Sequence, residues 1–297
     1  MILLLQNIIN GIVIGLGYAL FASGFSVIFG SLRALNFAYG MIFIGGAYIS
    51  WIAVEVYGIP VFPFGILLAM IAGGLLNILC ERVCFYPFRK RKGADLFAIA
   101  IATIAFGEIL KSLFQLIFSG NARTYPPFEG LSQMINISGL SISYIQLVNS
   151  LITIIFIGLL LYILKNTRFG KAIRAISFKE EAARLLAINT NKTIINTFFL
   201  GGALAGAAGC LITVFFGMVG PGLADFMFLK ALLIVVIGGL GNIFGAIVAG
   251  VLMGMSESLS VAYIASSSRD LVGLIVFFLI LLVKPNGLFG KEEVLRP

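Results

Sequence analysis

Six stretches of the chain contain no Asp, Glu, Lys or Arg: residues 1–32, 34–54, 56–80, 130–164, 193–224 and 231–256. Each reaches the roughly 20 mostly apolar residues that carry an α-helix through a bilayer. Hydrophobicity inside them is continuous. An outer-membrane barrel would instead show alternating segments of about 10 residues. The pattern predicts an all-α, polytopic membrane protein with spans near 5–30, 38–57, 60–80, 96–118, 146–164, 194–217, 227–240, 243–262 and 271–284. The segment 227–240 is short and ends in Gly238-Gly239-Leu240-Gly241-Asn242. It reads as a half-span or re-entrant piece, so about 8–10 transmembrane or half-spanning helices are expected in one transmembrane domain over 1–297. The N-terminal stretch lacks a positive leader region, and its apolar run is too long for a signal peptide, so it reads as a retained first helix.

The polar interruptions set an orientation. Basic residues cluster at Arg33, in segment 81–95 (Arg82, Arg89, Lys90, Arg91, Lys92), in segment 165–192 and from Lys284 onward, which together hold 16 of the 20 Lys and Arg residues. With nine crossings all of these fall on one side, which the positive-inside rule makes cytoplasmic. The segment 119–145, with its NARTYPPFEG string, reads as an exposed connection on the opposite side. The expected location is the cytoplasmic membrane of a bacterium or archaeon. The net charge of +8 is this loop asymmetry, so no nucleic-acid partner is expected.

Composition narrows the chemistry further. Apolar residues make up 60% of the chain and charged residues 11%, against about 25% in a soluble domain, which excludes a soluble enzyme. Histidine is absent, which excludes His-based triads and proton relays. Cys80, Cys84 and Cys210 form no metal-ligand pattern and read as small hydrophobes. Gly170-Lys171 and Gly290-Lys291 are followed by Ala172 and Glu292, not by the Ser or Thr of a phosphate loop. No cofactor is expected. Glycines recur four apart at Gly11/Gly15, Gly202/Gly206, Gly241/Gly245 and Gly250/Gly254. Such spacing lets helices approach closely, either as fixed packing or as a moving interface.

Residues 165–192 read KNTRFGKAIRAISFKEEAARLLAINTNK. Ser177 and Glu180 have capping-box spacing, predicting a short helix over about 178–188 that stops at Asn189. Ala182, Ala183, Leu185 and Leu186 give it a small apolar side. That side is too small for firm membrane binding, which favours a docking helix for a cytoplasmic partner over one resting on lipid headgroups.

Ionisable residues within spans are costly and must face protein or water. Glu108 and Lys111 lie three apart on one helix, a spacing that allows mutual neutralisation. Glu257 sits among Ser256, Ser258 and Ser260 and reads as either path-lining or interfacial.

Several strings together resemble one family: INGIVIGLGYALFASGFSVIFGSLRALNFAYG (9–40), ERVCFYPFR (81–89), TRFGKAIRAISFKEEAARLLAINTNK (167–192), KALLIVVIGGLGNIFGAIVAGVLMGMSE (230–257) and KPNGLFG (284–290). The chain resembles permeases of bacterial and archaeal ABC importers for branched-chain amino acids, the shorter of their two permeases. The resemblance implies a second related permease subunit, two cytoplasmic ATP-binding subunits and an extracytoplasmic solute-binding protein. It makes Glu181-Ala182-Ala183, with Leu185, Leu186 and Ile188, the coupling helix, although no glycine stands at Leu186 or Ala187. It places the polar break of Arg33, Asn36 and Tyr39 near the translocation path. The expected function is ATP-driven inward passage of branched-chain, neutral amino acids, with hydrolysis carried out by partners and not by this chain. The rivals are an ion-coupled carrier using Glu108 or Glu257, a passive channel, and a permease of the same class for urea, amides or sugars.

Overall fold

The structure, a computed structural model, describes residues 2–90, 96–125, 133–137, 140–265 and 269–290. Its helices are α1 (Ile2–Leu32), α2 (Tyr39–Glu55), α3 (Ile66–Cys80), α4 (Tyr86–Arg89), α5 (Leu96–Phe118), α6 (Tyr144–Asn166), α7 (Arg168–Phe178), α8 (Glu180–Leu185), α9 (Thr190–Phe216), α10 (Gly222–Gly238), α11 (Ile243–Tyr263) and α12 (Arg269–Val283). All nine predicted spans are helical. The third is longer than expected, because a wider turn after α3 carries the helix on through α4 to Arg89, while the chain before α3 kinks at Phe62, whose backbone is extended. Six of the described helical segments are long and apolar enough to cross a membrane. Away from water, a backbone closes its own hydrogen bonds, and helices are the local way to do so.

The interior is organised around α1 and α9. The most apolar stretches of these helices are 72% and 83% buried, against 28% for α5 and α6, which lie at the periphery. Helix α1 packs on α11 and α9, and α3 packs on α9. Small residues set these distances. A methyl group at Gly254 would strike the Gly15 backbone, and one at Gly206 would strike the Ala69 carbonyl. The glycine pairs on α1, α9 and α11 therefore serve packing within this chain.

The basic segments share one end of the bundle. Arg89 Nη2 donates to Asn191 Oδ1 at 2.9 Å, joining α4 to the start of α9. Gly30 lies against Gly241, and Asn242 Nδ2 donates to the Phe289 carbonyl at 2.8 Å. Arg91, Lys92 and the residues after Gly290 lie outside the described residues. At the other end, the segment expected to be a plain exposed connection carries short strands. β1 (Arg123–Thr124) pairs antiparallel with β4 (Met218–Val219), and β2 (Met134–Ile137) with β3 (Leu140–Ser143). Strand pairing satisfies backbone groups that helices cannot reach there. Tyr125 is buried beside β1 and donates to the Ala47 carbonyl at 3.2 Å; burial pushes its phenol pKa up, keeping it a neutral donor.

Helices α2 and α10 begin inside the bundle. Trp51 Nε1 donates to the Thr124 carbonyl, placing Trp51 at the level of β1. Gly40 precedes it by eleven residues, about 16 Å along the helix. Gly40 packs on Ala224 and Phe228, so the first turn of α10 sits at the same depth. The predicted half-span at 227–240 is this 17-residue helix, entered by a chain that dips inward after β4.

Candidate functional site

The segment 165–192 folds differently from the single capped helix expected. Thr167 caps a helix that starts earlier, its side chain accepting from the Gly170 N–H at 3.2 Å. That helix, α7, runs through Ser177, whose hydroxyl donates to the Arg174 carbonyl at 2.9 Å. The Ser177–Glu180 capping box is therefore not formed. Glu180 instead pairs with Arg184 at 2.7 Å, one turn along α8. Asn189 does not stop α8; its side chain caps α9 by accepting from the Lys192 N–H at 3.0 Å. Asn is as good at starting a helix as at ending one.

The apolar side of α7, Ile173 and Ile176, is buried in the bundle. Helix α8 buries only Ala183. Leu185 is 89% exposed, Leu186 73%, and Phe178 at the elbow 90%. Ala182 is half-buried and Glu181 exposed. Arg184 Nε donates to Thr190 Oγ1 at 3.2 Å, tying α8 to α9. Ala187 follows in the left-handed region at φ +58°, and the N–H of Ile188 returns to the Ala183 carbonyl at 3.2 Å. The result is a short, tethered helix at the basic end that presents three large apolar side chains and no partner surface of its own.

The three residues expected along a path are brought into the interior, and not onto one open surface. Asn36 Nδ2 donates to Asn77 Oδ1 at 3.0 Å, and Asn77 Nδ2 donates to the Phe198 carbonyl at 2.6 Å. Tyr39 OH donates to the Gly201 carbonyl at 2.9 Å and stacks on Phe21. Glu257 is fully buried, accepting from Tyr18 OH at 3.1 Å and ion-paired with Lys230. Lys230 also lies 4.3 Å from the Phe226 ring centroid. These groups tie α1, α2, α3, α9, α10 and α11 together.

Lys111 corrects the i, i+3 expectation. Its ammonium pairs directly with Asp225 on α10 at 2.6 Å, and Glu108 adds a weaker charge attraction without a direct contact. Asp225 and Lys230 are the charges that the sequence reading left unpartnered. Their signal was present: each stands beside a long charge-free run and needs an opposite charge from another helix.

Residues 7–284 match the family model described as the permease component of the branched-chain amino acid transport system. The chain belongs to this family. It is 32% identical to LivH, a high-affinity branched-chain amino acid transport system permease protein of Salmonella typhimurium, over 98% of this chain and 96% of that protein. It is 31% identical to BraD, a protein of Pseudomonas aeruginosa with the same description, over 98% of this chain and 97% of that one. Similarity to LivM of Escherichia coli is 28% and covers 67% of that longer protein. Among solved structures, PsaBC from Streptococcus pneumoniae matches with a TM-score of 0.50 at 17% identity, covering 96% of this chain and 93% of that one, a likeness of fold alone. The chain is thus a multi-pass membrane permease component, a transport subunit and not an enzyme, and it works with other permease and ATPase subunits.

Proposed function

We propose that this permease passes branched-chain, neutral amino acids inward across the cytoplasmic membrane of a bacterium or archaeon. A second, LivM-like permease completes the membrane part, and one of two ATP-binding subunits docks on α8. An extracytoplasmic solute-binding protein delivers the solute. The observation that carries this reading is the tethered α8, with Leu185 and Leu186 bare at the basic end. Exposed apolar side chains on a short polar-flanked helix mark a protein contact. Movement of the ATPases reaches the spans through α7, whose buried face rests on α1, α6 and α9.

The test is affinity purification of the chain from cells expressing all the subunits, followed by uptake from a panel of solutes. The reading expects an ATPase and a second permease in the purified complex, and uptake of leucine, isoleucine and valine. Purification without an ATPase, or uptake confined to urea, amides or sugars, contradicts it.

A further inference from the structure

Helices α2, α5 and α10 enclose a cleft that opens on the side of the bundle. Its cavity volume is about 170 Å³, smaller than the roughly 300–1,000 Å³ of drug-sized ligand sites. Phe37, Met41, Ile104 and Phe228 form its apolar walls, with the Gly40 and Gly107 backbones between them. Glu108 and Asp225 line it, and Lys111 reaches Asp225 at 2.6 Å. Among the described residues Glu108 has no hydrogen-bond or ion-pair partner.

Depth gives these charges their meaning. Glu108 lies about 18 Å along α5 from Leu96 and about 15 Å from Phe118, midway through the hydrocarbon layer. Asp225 is in the first turn of α10, at the depth of Gly40. A charge on an exposed face at that depth is too costly to leave in lipid and faces either water or protein. The composition of the cleft points to its occupant. Two carboxylates and one ammonium leave it net negative, with a cation and an anion both available. The first turns of α2 and α10 add partial positive charge toward the same space. Beside them is an aromatic and aliphatic wall.

We propose that this cleft is the membrane station for the α-amino acid zwitterion. It rests on the permease reading above and names the residues that hold the solute in transit. Glu108 takes the ammonium. Lys111 turns from Asp225 to take the carboxylate, assisted by the first turns of α2 and α10. The branched side chain lies against Phe37 and Phe228. A neutral amide or sugar lacks the charges that would satisfy Glu108 and Lys111 together.

The experiment uses the assembled transporter in proteoliposomes, with binding protein outside and ATP inside. Ile104→Cys places a thiol in the cleft; the three native cysteines are buried and give a low background. Labelling by a small charged thiol reagent is followed with and without leucine during turnover. The proposal expects labelling, slowed several-fold by leucine. It further expects Glu108→Gln to abolish that protection and to lower the maximal rate of leucine uptake about tenfold or more, the size of one lost charge-assisted contact. Labelling that leucine does not slow, or an unreactive thiol in a transporter that still takes up leucine, overturns the proposal. So does a Glu108→Gln variant that loses the second permease on purification, since Glu108 would then belong to the subunit seam. Absence of leucine uptake without any substitution would instead count against the permease reading itself.

Discussion

Lys230 has only 5% of its side chain exposed, opposite a Glu257 carboxylate with none. Taking either partner away leaves an ion in an apolar interior, which costs about 3–5 kcal/mol, whereas replacing both with neutral groups costs far less. Glu257→Gln should therefore lower the apparent Tm of the purified permease markedly, and Lys230→Met combined with Glu257→Gln should recover most of the loss. Equal melting of the single variant and the unsubstituted protein would deny the pair its structural weight. Ala187 is the opposite case, a residue in a backbone region that suits glycine. Replacing it with Gly removes a left-handed strain of about 1 kcal/mol. Amide hydrogen exchange over α8 should slow in Ala187→Gly; faster exchange would show that the turn tolerates Ala without cost.

Helix α8 has one buried side chain and a tether at each end, so a change on its bare face leaves the bundle intact. Leu185→Asp should reach the membrane at normal levels, lose the co-purifying ATPase and lose uptake. A variant that keeps both refutes docking on α8. The packing helices behave differently. Gly206→Val forces a side chain into the Ala69 carbonyl and should destabilise by about 1–3 kcal/mol or more, while Gly158→Ala on α6 meets nothing within 4 Å and should be neutral or mildly stabilising. Comparing their melting temperatures checks both. This contrast also marks what was legible in the sequence. Charge-free runs of span length announced α1, α2, α3, α6, α9 and α11, because their signal is one-dimensional, whereas α5 and α10 carry charges and were read from their apolar content. Glycine spacing announced close approach but not the partner helix, since Gly202 and Gly206 meet α3, far back in the chain. The helix in segment 165–192 was foreseen and its boundaries were not. The capping box competed with Thr167, which caps α7, and that helix continues through Ser177. Lys111 likewise preferred Asp225, supplied by a distant helix, to the neighbour one turn away.

On the scale of the whole molecule, one end carries the described basic residues around α4, α7 and α8, and the other carries the two small strand pairs. A single cysteine at position 180 should react with an impermeant reagent only from the cytoplasm, and one at position 136 only from outside. The reverse pattern would invert the orientation and detach α8 from any cytoplasmic ATPase. In the proposed reading α8 docks the ATPases, and accumulation against a gradient depends on that external motor. The most direct measurement is leucine accumulation in vesicles containing the assembled subunits, comparing internal ATP with an imposed proton or sodium gradient. Accumulation should require both ATP and the binding protein, with no response to either ion gradient. Accumulation driven by an ion gradient in the absence of ATP would contradict an ATP-driven permease.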